Sequence, residues 1–181
     1  MEMLRQAKTI PRVRGVELVG TWDIKPENAS DVSSFLKDEG LSCVSIIPDL
    51  FTPPEYGKGS LSSNDANIRD QAIDYVKQMA DVAGILDCPL LNLWPGQDGY
   101  DYLLCSAYDR AHDRLCSAIG HLAERNKTLR FALEYKPKEP RTHSFLARMA
   151  DTLLVCNHIG LPNVGVTIDT GHAFMAGEVV R

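Results

Sequence analysis

An α/β fold built on parallel strands is what this sequence predicts, on three observations. Short apolar runs alternate with longer segments of helical periodicity. The glycine motifs that cradle phosphates in nucleotide-binding folds do not occur. The unusual polar residues collect where the apolar runs end.

The runs are "GVELVG" (15–20), "LSCVSII" (41–47), "PLLNLW" (89–94), "LRFALEY" (129–135) and "VGVTID" (164–169). Each is apolar at nearly every position, the pattern of strands buried on both faces. Between the first two, a helix over 30–39 has Asn28 or Ser30 as N-cap, Val32, Phe35 and Leu36 as its buried face, and Gly40 as its stop. Next, Ile68, Ala72, Val76, Met79, Ala83 and Leu86 recur at three and four, with "SSNDAN" offering caps ahead of them. Leu104, Ala107, Ala111, Leu115, Ala118 and Leu122 predict a further helix. Phe145, Leu146, Met149, Ala150, Leu153 and Leu154 predict a last apolar stripe before the fifth strand.

Two architectures share this alternation. A doubly wound nucleotide fold needs a G-x-G-x-x-G turn after its first strand or a G-x-x-x-x-G-K-[ST] loop, and neither is present. A TIM-type (β/α)8 barrel gathers its chemistry at the carboxyl ends of several strands, and this sequence does the same. The expected fold is therefore an incomplete barrel of five parallel strands with intervening helices, in one domain spanning 1–181.

Composition narrows the function. With 181 residues, 44% hydrophobic and 24% charged, the chain has enough apolar material for a core. A net charge of −5 without long runs of one sign gives no footprint for nucleic acid or an anionic membrane, and leaves small polar substrates. Five cysteines without a C-x-x-C pair are expected to be reduced, in a cytoplasmic protein. The opening "MEMLRQAKTI" lacks the apolar centre of a signal peptide, and no stretch approaches the ~18 apolar residues of a membrane span.

The fourth run closes as "LEYKPKEP". Glu134 and Lys136 stand two apart, so on an extended strand they share a face, and Pro137 withdraws a ladder donor after them. A lone E-x-K is more often a strand-end ion pair. The fifth run delivers Asp169 and His172, with Gly171 between; alone, D-T-G-H is read equally as an Asx-type turn. Two carboxylates ending separate parallel strands, each with a second functional group, point instead to a hard divalent ion. Magnesium or manganese suits such oxygen ligands, and cobalt or zinc becomes suitable if histidine joins.

These residues carry a resemblance to the xylose isomerase-like family of (β/α)8 barrels, which contains sugar isomerases, epimerases and related divalent-metal enzymes. "EYKPKEP" resembles the E-x-K-P element of xylose and L-rhamnose isomerases, "IDTGHAF" is similar to the D-x-x-H element of the next strand, and "NLWPGQDGYDY" resembles a W-x-G-x-x-G loop walling the sugar pocket. Without the resemblance, that last segment is a pair of turns and Trp94 a core residue. It extends from about Gly15 to Gly177. It implies that Glu134 and Asp169 bind a divalent metal, that Lys136 sits by the reacting sugar oxygen, that His172 touches substrate or joins the metal shell, and that Trp94 lines the pocket. The implied reaction is aldose–ketose isomerisation or epimerisation of a small sugar, with the lysine leaning toward hydride transfer.

The same alignment makes the five runs the second to sixth strands of the barrel, with "RQAKTIPRVRG" ending the first helix. The first, seventh and eighth strands, and the metal ligands that the family draws from the last two, are then missing. The expectation is an inactive or partner-dependent piece with open, apolar sheet edges that a second copy could cover. Two rivals accompany it: an abasic-site endonuclease, which shares the barrel but which the acidic balance disfavours, and a non-catalytic truncated barrel. Glu17, Trp22, Asp23, Asp49, Glu139, Arg141 and His143 are weaker candidates for the mouth, while His112, His121 and His158 read as ordinary helix histidines.

Overall fold

The computed structural model describes residues 2–139 and 142–180. In chain order these form α1 (Glu2–Thr9), β1 (Gly15–Val19), α2 (Ala29–Asp38), β2 (Ser42–Ile47), α3 (Ala66–Ile85), β3 (Leu90–Leu93), β4 (Gly99–Tyr100), α4 (Tyr108–Arg125), β5 (Arg130–Glu134), β6 (Lys138–Glu139), β7 (Thr142–Ser144), α5 (Met149–Ile159), β8 (Val164–Thr167) and α6 (Thr170–Met175), with two short 3-10 turns at Pro26–Asn28 and Pro54–Tyr56. The five anticipated strands make one sheet in the order β1-β2-β3-β5-β8, every pair parallel. This is an incomplete α/β barrel. Among the described residues β1 and β8 are edges, each paired on one side. No helix among them is long and apolar enough to cross a membrane.

The helices start and stop where local chemistry directs. Asp65 caps α3 by accepting from the Asn67 amide at 2.8 Å. Asn28 precedes α2 but its side chain accepts from the Lys25 amide instead, tying the short 3-10 turn that leads in. Gly40 ends that helix in the left-handed region, φ +64°.

The expectation of strands buried on both faces holds in the middle of the sheet, where inner-face Asn92 and Ala132 are 3% and 8% exposed, and fails at β8, whose residues are all partly exposed. Ile46, Leu91, Leu93, Phe131 and Leu133 are at most 1% exposed and share one core cluster with Val76 and Met79 of α3 and Leu115, Ile119 and Leu122 of α4. The opposite, inner face mixes polar and small residues with a few aliphatic ones. Asn92 is in register with Ala132, and Glu134 with Thr167; Asn92 hydrogen-bonds both Glu134 and Thr167, so all of these lie on that face. Glu17, bonded to Ser45, continues it across β1 and β2. A bulge between these strands leaves Val44 without a partner and exposed. Composition hid the alternation because the inner positions use small residues as well as polar ones.

Two helical stripes are shorter than predicted. α4 begins at Tyr108, leaving Leu104 fully in solvent, and α5 begins at Met149, so Phe145 and Leu146 precede it. Thr152 and Val155 are the buried positions of α5, whereas Leu153 and Leu154 are 45% and 64% exposed, because among the described residues only α4 and β8 pack closely against this helix.

A second sheet, unforeseen, is antiparallel in the order β4-β7-β6. It folds the segment after β5 back over the loop after β3. Gly99 makes this possible: a Cβ there would lie 2.0 Å from the His143 carbonyl oxygen.

Candidate active site

The carboxyl ends of β3, β5 and β8 converge on one rim. Glu134 is the last residue of β5, and its Oε2 accepts from Asn92 Nδ2 at 2.7 Å. Asn92 in turn accepts from Thr167 Oγ1 at 2.8 Å, so one amide in mid-β3 fixes the carboxylate of β5 against β8. Burial pushes the Glu134 carboxyl above its ordinary value, while the Asn92 bond and the facing His172 pull it down.

Asp169 leaves β8 and becomes the N-cap of α6, its Oδ1 accepting from the His172 amide at 2.9 Å. The Asx-type turn and the candidate site are thus one feature. One oxygen caps the helix and the other lies 3.9 Å from His172 Nδ1. The same backbone bond holds Asp169 below the usual carboxylate range, helped by the imidazole.

The cap places His172 over Glu134. Its Nδ1 is 3.2 Å from Glu134 Oε1, yet the atom is buried without a hydrogen bond. One ligand atom from each of Glu134, Asp169 and His172 lies within 4.8 Å of the others. Two carboxylates and an imidazole nitrogen that makes no hydrogen bond among the described residues form a donor set suited to a divalent cation, since two oxygens and one nitrogen fit ions from magnesium and manganese to cobalt and zinc.

Trp94 follows β3 directly and stacks on His172, ring centroids 6.2 Å apart at 24°. It is partly exposed and not a core residue. Lys136 places its ammonium 5.0 Å over the Trp94 ring. Its ion pair is with Glu139, not Glu134, because the chain turns at Pro137 and β6 brings Glu139 back toward it. The shared-face reading of Glu134 and Lys136 therefore gives proximity to a common rim without a bond between them.

Two contributors escaped the sequence reading. Phe51, 4.4 Å from Trp94 and 6.2 Å from Trp22, extends the aromatic wall; its signal was its place just beyond a strand end. Asn92 was legible only as a polar interruption of "LLNLW". Of the weaker candidates, Asp23 and Asp49 are used in turns, accepting from the amides of Val19 and Thr52, and His143 stacks on Tyr100. Arg141 lies outside the described residues.

The sequence model of the xylose isomerase-like TIM barrel matches residues 4–180. The chain belongs to that family. Xylose isomerase from Bacillus pumilus (strain SAFR-032) is 28% identical over 152 residues, which are 81% of this chain and 34% of the relative. The chain therefore spans about a third of the length of the curated relatives it matches. A D-tagatose 3-epimerase-like protein superposes with a TM-score of 0.74 at 20% identity, covering 96% of this chain and 61% of that one. An AP endonuclease of family 2 from Brucella melitensis superposes at 0.69 and 18%, covering 89% and 59%. At these identities the structural likenesses establish the barrel fold.

Proposed function

We propose that this chain carries part of the active site of a divalent-metal-dependent sugar isomerase or epimerase. The observation that carries the reading is the convergence of Glu134, Asp169 and His172, whose imidazole Nδ1 makes no hydrogen bond among the described residues. These three residues would hold the ion, manganese or magnesium by the two carboxylates, with cobalt or zinc admitted by the histidine. When bound, the ion would supply Lewis-acid stabilisation of negative charge on a sugar oxygen.

The protein's own residues do the rest. The Trp94 face, backed by Phe51, offers an apolar wall for the C–H face of a sugar. Lys136, held by Glu139 beside that wall, offers ammonium protons to a carbonyl oxygen at the reacting end. Asn92 fixes one Glu134 oxygen and leaves the other toward His172. Five reduced cysteines fit a cytoplasmic setting. A single domain across 1–181, with a second chain covering the edges at β1 and β8, completes the reading.

An endonuclease reading shares the fold of one structural neighbour. Nucleic-acid binding, however, relies on neutralising phosphates, and this chain carries a net charge of −5. The deciding experiment measures Trp fluorescence quenching and interconversion of aldoses and ketoses with manganese. Metal-dependent quenching by the chain, and turnover once a second chain closes its edges, both lost in Glu134→Gln, support the proposal. Manganese-dependent cleavage of abasic DNA without any sugar response would replace it with the rival.

A further inference from the structure

We propose that His112, Cys116 and His158 form a second metal site, on the helical layer, for a borderline-to-soft divalent ion of the zinc type. His112 and Cys116 are four residues apart on α4 and so lie one above the other on a single helix face. His158, in the last turn of α5, comes from the neighbouring helix. Each of the three offers one donor atom within 4.8 Å of the others. Cys116 Sγ lies 3.8 Å from each ring nitrogen of His112, and the two imidazoles meet edge to face at 5.4 Å.

Sulfur and nitrogen donors bind zinc at ~2.3 and ~2.0 Å, so two donors on one ion are at most ~4.3 Å apart. Cys116 Sγ and the His112 ring nitrogens, 3.8 Å apart, already lie within that span, and surface histidine rotamers can draw the donors together: the His112 side chain is 41% exposed and His158 is exposed. Water would complete the shell. The donor set differs in kind from the rim site, where oxygen predominates and sulfur is absent.

Cys116 is a free cysteine. Loading therefore breaks the S–H bond, forms a metal–sulfur bond and releases one proton to solvent. The bound ion would cross-link α4 to α5, joining the helices that flank β5 and β8.

Cobalt is the probe, because a thiolate ligand gives a sulfur-to-cobalt charge-transfer band that a carboxylate–imidazole site cannot produce. Titration of Glu134→Gln, whose rim site is disabled, is expected to develop that band with one equivalent. In that background Cys116→Ser is expected to abolish it and Cys156→Ser to leave it, so that the rim site and this one fail independently. Since Cys116 is buried, the exposed His158→Gln provides a second test, with affinity expected to fall roughly tenfold or more on losing a ligand. The absence of a charge-transfer band in Glu134→Gln, its survival in Cys116→Ser, or unchanged affinity in His158→Gln would each overturn the proposal.

Discussion

The two faces of the parallel sheet are made from the same strands, yet they do opposite things. On the helix side, Leu91, Phe131 and Leu133 pack against α3 and α4 with almost no exposure. On the inner side, one residue along each strand, Asn92 and Glu134 bond across to one another. The period-two geometry of a strand separates stability from chemistry: a side chain on one face contributes mainly to burial, its neighbour on the other mainly to the rim. The division predicts that substitutions on the two faces have separable consequences.

The largest effect is expected from the helix side. Phe131→Ala should cost about 3–5 kcal/mol in urea unfolding, through lost transfer energy and a cavity, while the remaining folded molecules bind manganese as before. A parallel loss of manganese affinity would break the separation. Asn92→Ala is intermediate and tests both sides together. Leaving Glu134 and Thr167 with unmet polar atoms should cost about 1–3 kcal/mol, and manganese affinity should fall with it.

The smallest effect on stability belongs to the rim carboxylates, and its sign is informative. The folded state raises the Glu134 carboxyl, so it holds that proton more tightly than the unfolded chain does. The metal-free protein accordingly loses stability as pH rises from the ordinary carboxylate range through the raised value. Glu134→Gln should therefore leave the metal-free protein as stable or more stable at neutral pH while removing manganese binding; a destabilised variant would contradict it. Asp169 runs the other way. Its depressed value contributes stability present above the unfolded carboxylate value and lost as pH falls through the folded one. Asp169→Ala should cost about 1 kcal/mol of capping, and Asp169→Asn less, while both lose metal affinity.

Much of this was legible before the structure. Five strands were marked by apolar runs bounded by turn residues; the strand-end rule pointed to Glu134, Lys136, Asp169 and His172 on one rim, and the family resemblance added Trp94. The remainder depended on contacts that no local pattern encodes. Strands of two or three residues such as β4 and β7 have no periodic signal, so the Glu139 partner of Lys136 stayed hidden. Periodicity also identifies an apolar stripe without saying what covers it, and Leu153 and Leu154, read as part of one, are left exposed by the fold. The role of Asn92 required knowing that β5 lies beside β3.

The most direct measurement is anomalous scattering from a crystal of the chain soaked in manganese. The account predicts a peak at the rim, bounded by a Glu134 oxygen, an Asp169 oxygen and His172 Nδ1, at oxygen distances of ~2.0–2.4 Å. Full manganese loading with the peak elsewhere, or with His172 Nδ1 turned to a protein acceptor and the two carboxylates apart, would contradict it.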